Sequence, residues 1–288
     1  MLDVSVVVPV RNAEAMLDDC LRSIVEQEPR EIIVVDGCST DSTVEIARRH
    51  GARVLSDEGE GLPVARLKGT QEAGSEVVAL VDADVVLPAG SLGALLDEFR
   101  RGRFVGLQAG LHSVSGSEYW GRALAHHHRT GRSRNWFGLV ATIFDRVALL
   151  EHGFDERFMS GEDIELRWRL ERTGAKVGVS SETLVLHRFG DSWAFAKGQF
   201  LADGHGLARM ILMKPSLKSL FLLALPGGAG MRGVALSAIR GEPHWILYYV
   251  TFTVFNYAAM IQEFVEYVRA RRSGDGGTEV VASVDGRP

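Results

Sequence analysis

Two aspartates flanking Ala83, Asp82 and Asp84, follow directly on the apolar run Val77–Val81. Carboxylates two positions apart at the end of a buried strand can converge on one hard cation, Mg2+ or Mn2+, and such a cation can hold a diphosphate. A turn that merely contains aspartates is spelled the same way, so the motif depends on its company. Asp36-Gly37 closes a second β-branched run. Its carboxylate can accept from a nucleobase N–H while Gly37 permits tight backbone passage, and the Ser39–Thr43 stretch behind it offers helix caps in Thr40 and Asp41. Glu162-Asp163 opens a helical pattern. A helix N-terminus keeps carboxylates ionised, which suits a general base, although acids are common in first helical turns for that same electrostatic reason.

The elements that must position these groups are legible in the hydrophobic periodicity. Val4–Val8, Ile32–Val35, Ala52–Leu55 and Val77–Val81 read as buried strands. Between them lie helical patterns: Met16 to Val25 behind Asn12 as cap, a helix ending at Arg49, and Leu62–Glu72. Past residue 90 the pattern predicts a helix to about Arg101, a strand at Phe104–Leu107 and a helix over Tyr119–His128. It continues with a strand at Phe137–Phe144, a helix over Asp163–Arg172, and short strands at Val177–Val179 and Leu184–Leu186. Strands alternating with helices predict an α/β fold with a mostly parallel sheet and helices on both faces, whose ligands bind at the carboxyl ends of the strands. Arg11-Asn12, Asp36-Gly37 and Asp82-Ala83-Asp84 all stand there. His126-His127-His128 reads as solvated helix, since consecutive helical residues point apart and cannot chelate together. Arg129, Arg132 and Arg134, ahead of Trp136, could hold an acceptor phosphate or form a solvated basic loop.

Composition narrows the classes. The 288 residues are 46% hydrophobic and 24% charged, with a net charge of −5, which excludes a disordered chain. Cys20 and Cys38 are the only cysteines and show no ligand spacing, so a reducing compartment is expected, and the opening Met1-Leu2-Asp3 suggests no secretory signal. The charge is unevenly spread: residues 1–196 carry −8, residues 197–272 carry +5. An acidic body argues against nucleic acid as partner.

Six segments occur in one order: V-V-V-P-V-R-N (6–12), I-I-V-V-D-G-C-S-T-D-S-T (32–43), G-L-P-V-A-R-L-K-G (61–69), V-D-A-D (81–84), G-F-D-E-R-F-x-x-G-E-D-I-E-L-R-W-R-L (153–170) and L-H (186–187). Together they resemble a family 2 glycosyltransferase of the Rossmann-like GT-A fold, over roughly residues 3–190. The resemblance implies an inverting transferase that moves a sugar from a UDP- or GDP-linked donor. It implies that Pro9, Arg11 and Asp36 line the nucleoside pocket, with Arg66 near the base or phosphates and Asp82 and Ala83 at the donor. Asp84, with Asp82 and His187, would hold Mn2+ or Mg2+. Asp163 would be the catalytic base, with Glu162 orienting donor or acceptor. Processive members carry Q-x-x-R-W downstream; Gln199 is followed here by Phe200-Leu201-Ala202-Asp203, so a single transfer is expected. A pyrophosphorylase of similar fold would need a Gly-rich loop where this chain has Pro9-Val10-Arg11-Asn12-Ala13. A non-catalytic binding or scaffold protein would bind nucleotide without turnover.

The remaining chain calls for its own physics. Trp245–Gln262 is free of charge and rich in aromatics, Leu217–Leu225 is apolar, and Arg269, Arg271 and Arg272 follow as a basic stop. Eighteen residues as helix reach ~27 Å, just short of a ~30 Å hydrocarbon core. A transmembrane anchor, interfacial helices and a soluble dimerisation hairpin compete, and a homo-oligomer is the outcome of the last. The division expected is a catalytic domain over 1–196, a helical, membrane-associated region over 197–272 on the cytoplasmic face, near a polyprenyl-phosphate or other lipid-linked acceptor, and a flexible tail over 273–288.

Overall fold

The computed structural model describes residues 1–131, 137–158 and 160–272. Arg132, Arg134, Trp136 and the tail at 273–288 lie outside the described residues. The chain divides into two compact units, one of Met1–Glu156 and Glu162–Gly190, the other of Arg157–Gly161 and the residues from Asp191 on. The boundary expected after residue 196 falls inside the helix Trp193–Met213.

The first unit is built on an eight-stranded sheet. Its strands are β1 (Leu2–Val10), β2 (Pro29–Asp36), β3 (Arg53–Ser56), β4 (Val77–Val81), β5 (Val85–Val86), β6 (Gly106–Ser115), β7 (Ala141–Asp145) and β8 (Val177–Phe189). The spatial order is β3-β2-β1-β4-β7-β6-β8-β5. The β3-β2-β1-β4 half is parallel, as expected. The other half is mixed, because β7 runs antiparallel to both β4 and β6, and β5 antiparallel to β8.

Strand alternation sorts the valines between two helical layers. Val4, Val6, Val8 and Val10 pack with α1 (Glu14–Val25), α2 (Thr43–Arg49) and α4 (Ser91–Gly102). Val7, Ile33, Val35, Val78 and Leu80 face the opposite layer of α3 (Leu62–Glu72), α6 (Arg146–His152) and α7 (Glu162–Arg172). Helix α5 (Tyr119–Thr130) completes the unit. Gly69 lets α3 lie close on β1, since a Cβ there would run into Val7 and come within 3.1 Å of Val35.

Several sequence expectations are corrected. Asn12 does not cap α1: it sits at φ +50°, and the first turn is served by Thr43, whose hydroxyl accepts from Ala13 N, and Asp41, whose carboxylate accepts from Glu14 N. The two short strands after residue 177 are one long β8. The polar stretch between them is carried on a register shift against β6, with the Ser180 hydroxyl accepting from Glu182 N and Thr183 N. Strands β6 and β7 lie a few residues C-terminal of their expected positions, and β5 and α6 are too short for periodicity to reveal.

The second unit is helical: α8 (Trp193–Met213), α9 (Leu217–Leu220), a 3₁₀ turn at Phe221–Ala224, α10 (Leu225–Ile239), a 3₁₀ turn at Pro243–Trp245, and α11 (Ile246–Arg272). Phe200 of α8 packs edge-on against Tyr248 and Phe252 of α11, and Glu263 of α11 accepts from His205 and Arg209 of α8. On its other side α11 meets a row of glycines in α10. A Cβ at Gly227, Gly230 or Gly233 would strike Tyr257, Thr253 or Tyr249 in turn. The stretch Leu217–Ile239 is the one helix among the described residues long and apolar enough to cross a membrane, with 28% of its apolar window buried.

Candidate active site

The residues singled out from sequence gather at the carboxyl ends of the parallel strands in the first unit. β1 and β2 run in register, Pro9 opposite Val35 and Val10 opposite Asp36, and Gly37 N donates to Val10 O at 2.8 Å. Arg11 and Gly37 are thereby adjacent, the Arg11 Cβ lying 3.4 Å from where a Gly37 Cβ would stand. The Asp36 carboxylate turns back to accept from Ser39 N at 3.1 and 3.3 Å. The loop behind it is tied by Asp57, which accepts from Gly59 N and Gly61 N. Asp36 therefore braces its own loop, and Asp41 accepts from Thr43 N and Oγ1 at the start of α2, whose cap position is Ser42 and not Thr40 or Asp41.

The centre of the site is a buried arginine fork. Arg66, on α3 and 2% exposed, donates through Nη2 to Asp82 Oδ1 at 2.9 Å and through Nη1 to Glu162 Oε1 at 2.5 Å. One guanidinium thus links the end of β4 to the first residue of α7. Two carboxylates there would repel one another in a partly dry site; the planar fork, always charged, holds both. Burial still raises the Asp82 carboxyl to about 6, helped by Asp84 and opposed by Arg66. Burial also raises Glu162, against the pull of Arg66, and Arg66 itself is raised because its two carboxylate partners outweigh its desolvation.

Asp84 faces His187 of β8, with Oδ2 and Nε2 3.3 Å apart. Their backbones are pinned together, because Arg188 N donates to Asp84 O at 2.9 Å and Val85 stands opposite His187 in the β5–β8 ladder. Burial disfavours the His187 cation, but the hydrogen bond and charge of Asp84 outweigh it and raise its pKa. Asp84 Oδ1 and His187 Nδ1 are both buried without a hydrogen-bond partner. Among the described residues no group of three His, Cys, Asp or Glu side chains converges as a cage. A carboxylate beside an imidazole, with the second carboxylate oxygen left unsatisfied, suits a cation that takes its other ligands from phosphate and water, so the donor set fits Mn2+ or Mg2+. Ala83, between the aspartates, is half-buried and packs on the core.

Asp163 is half-buried at the start of α7. Its Oδ2 lies 3.4 Å from where a Cβ on Gly138 would stand, and Gln108 Oε1 lies 3.2 Å from the same point. Gln108 is buried on β6 and accepts from Gly138 N at 2.9 Å. Neither Gln108 nor Gly138 carries a sequence signal, since a glutamine in a strand and a glycine in a loop are spelled alike in many roles. His128 was also missed. It does not point to solvent but packs its ring 4.7 Å from Phe189 and 6.1 Å from His187, and burial, with His127 and His187, holds its pKa well below the usual histidine value.

Comparison with known proteins places this geometry. A model of glycosyl transferase family 2 matches residues 5–158. A pre-mycofactocin glycosyltransferase of Mycobacterium tuberculosis is 31% identical over 201 residues, 64% of this chain and 42% of that one. A 4,4'-diaponeurosporenoate glycosyltransferase of Staphylococcus haemolyticus is 35% identical over 115 residues, 37% of this chain and 31% of that one. The chain thus spans less than half the length of these curated relatives. Among solved structures, a mannosyltransferase from Pyrobaculum calidifontis in complex with GDP-Man and Mn2+ superposes with a TM-score of 0.64 at 18% identity, covering 91% of this chain and 87% of that one. S. aureus TarS 1–349 in complex with UDP-GlcNAc gives 0.54 at 17% identity, covering 95% and 92%. At such identities the likeness speaks to the fold, and the expected GT-A architecture is borne out.

Proposed function

Because this chain belongs to glycosyl transferase family 2, we propose that it is a metal-dependent, inverting, non-processive glycosyltransferase acting on a UDP- or GDP-linked sugar. The observation that carries the reading is the arginine fork: Arg66 ties Asp82, beside the Asp84–His187 pair, to Glu162, the neighbour of Asp163. Asp82 and Glu162, the sequence neighbours of the cation-side pair and of Asp163, are thus parts of one hydrogen-bonded assembly. Pro9, Arg11 and Asp36 line the nucleoside end. Asp84 and His187, with Asp82 close by, would hold the divalent cation, whose chemistry when bound would be charge neutralisation at the nucleoside diphosphate. Asp163 takes the proton from the acceptor hydroxyl as its oxygen attacks the anomeric carbon. Its neighbour Glu162 is already engaged by Arg66 and serves to position. Because a charge-neutralised nucleoside diphosphate leaves without being protonated, inversion in one displacement needs a single base here and not the acid–base carboxylate pair of a glycosidase.

The second unit supports attachment to the cytoplasmic face of a membrane. Along Leu217–Ile239 its apolarity is arranged inside out. Glycines line the contact of α10 with α11, as in helix pairs packed within lipid, while large apolar side chains point away: Leu217, Phe221, Met231 and Ile239 are 72–82% exposed. The same unit carries Lys214, Lys218, Arg232, Arg240, Arg269 and Arg271. Helix α8, packed along α11, carries Lys197, Asp203, His205 and Arg209, and a crossing α11 would draw these into hydrocarbon. An interfacial lie therefore fits better than a crossing, and a polyprenyl-phosphate or other lipid-linked molecule is the acceptor class it brings within reach.

The test is a screen of UDP- and GDP-sugars with Mn2+, reading nucleoside diphosphate release and melting temperature. The expected result is release with one donor, and for Asp163→Asn a loss of about 10²–10⁴-fold in kcat with the donor-induced melting shift retained. Melting shifts without release for any donor and acceptor lipid would leave a binding protein instead.

A further inference from the structure

We propose that His128 is a positioning residue for the cation site: its ring wedges the His187 imidazole into the orientation that faces Asp84, a role that rests on the metal-dependent reading above. Strand geometry fixes where His187 starts but not how its ring turns. The ladder places His187 beside Val85 and Ser113, and the Arg188 N to Asp84 O bond sets the backbones, but these backbone contacts do not set the rotation of the imidazole about its own side-chain bonds. Metal-binding histidines are usually locked by a hydrogen bond from the second ring nitrogen to a carboxylate, carbonyl or water. Here Nε2 is turned to Asp84, while Nδ1 is buried with no hydrogen-bond partner.

What surrounds the ring instead is aromatic. Phe189, two residues on and so on the same strand face, stands 4.6 Å from the His187 ring at 61°. His128 meets Phe189 at 4.7 Å and 64°, and His187 at 6.1 Å and 61°. The three rings form a closed triangle of edge-to-face contacts, an arrangement favoured over face-to-face stacking by the ring quadrupoles. The wedge is itself anchored. Arg129 Nη1 donates to the Ser113 carbonyl at 2.8 Å, and Ser113 is the residue in register with His187. The C-terminal turn of α5 is thereby fastened to the strand position next to the histidine it presses on. Packing of this kind requires a flat ring at 128 and makes no use of its nitrogens.

The experiment is Mn2+ binding to the full chain, followed by the loss of the free-ion electron paramagnetic resonance signal, for wild type, His187→Ala, His128→Ala and His128→Phe, with urea melts to confirm folding. Wild type is expected to bind and His187→Ala to lose binding. His128→Ala is expected to bind about 10-fold more weakly, the size of effect seen when support for a metal ligand is removed, while His128→Phe restores affinity. If His128→Phe is as weak as His128→Ala, a nitrogen is required and His128 is a ligand, which overturns the proposal. Unchanged affinity in His128→Ala overturns it too. Failure of folded wild type to bind Mn2+ would instead overturn the cation reading itself. If His128→Ala does not fold, His128→Phe binding like wild type with His128→Asn, which lacks the ring, about 10-fold weaker supports the wedge, and His128→Phe no tighter than His128→Asn overturns it.

Discussion

Arg66 determines how much negative charge the site can hold before a substrate arrives. Its two partners lie on different elements, so replacing it by methionine, unbranched, shorter and uncharged, leaves two partly dry carboxylates facing one another. Breaking such a pair by removing one partner costs about 3–5 kcal/mol, and Arg66→Met should show a loss of that order in urea unfolding; a loss near zero would mean the fork adds nothing to the fold. The same carboxylates set a pH dependence. Asp82 is raised to about 6, chiefly by burial, and the Asp84 contact lifts His187 above its usual value despite burial. Both groups therefore keep protons to a higher pH than in a free chain, and a cation must displace them. Affinity for Mn2+ should rise with pH across the range from about 6 upward, with proton release on binding measurable by calorimetry in buffers of differing ionisation enthalpy. A dissociation constant independent of pH through that range would remove these two groups from the cation site.

Elements deliver these residues through close packing, and α3 is the clearest case. Gly69 sits one turn beyond Arg66 and lets the helix lie on β1; a methyl group there meets Val7 and Val35. Overpacking of a filled interior costs about 1–3 kcal/mol, so Gly69→Ala should lower the denaturation midpoint by that measure and weaken nucleotide binding as α3 shifts Arg66. Unaltered stability would show that Val7 simply rotates aside. How far such elements could be read in advance depended on where their hydrophobic signal came from. Leu62–Glu72 and Val77–Val81 match the structure at both ends: Val77–Val81 is an unbroken apolar run buried at every residue, and Leu62–Glu72 opens with Pro63 in its first turn, although its buried face carries Arg66, Gly69 and Thr70. β8 was split by Ser180–Thr183, whose polarity spells a loop while a register shift keeps the strand running. The carboxylates were legible as candidates since strand ends in an α/β sheet face the ligand side. Their partners were not. His128 reads as solvated until α5 is seen to lie against Phe189, and Gln108 and Gly138 gain meaning only when β6 and the loop before β7 meet beside Asp163.

At the scale of the whole molecule, charge and apolarity are segregated along the chain: −8 over residues 1–196 against +5 over residues 197–272. A soluble hairpin would turn its large apolar side chains inward. Along Leu217–Ile239 several of them are outward (Leu217, Phe221, Met231 and Ile239), while Phe200, Tyr248, Tyr249 and Phe252 are buried between helices and Gly227, Gly230 and Gly233 meet the side chains of α11. An apolar groove of about 430 Å³, lined by Met231, Val234, Val250 and Val254 among others, opens on the same helices. Burial of this face returns about 25 cal/mol per Å², and each basic residue near an anionic surface adds about 1 kcal/mol, lost beyond a Debye length. The full chain should therefore sediment with vesicles containing phosphatidylglycerol and less with neutral phosphatidylcholine, and salt should weaken the binding without abolishing it, since only the ionic part is screened. The double substitution Met231→Lys with Ile239→Lys places two charges on the exposed face and should release the protein into the supernatant while nucleotide-induced melting shifts, which depend on the other unit, stay unchanged. A chain that remains in the supernatant with every vesicle, yet runs as a dimer in analytical ultracentrifugation that the double substitution splits, would assign the face to a second copy of the chain instead of to lipid.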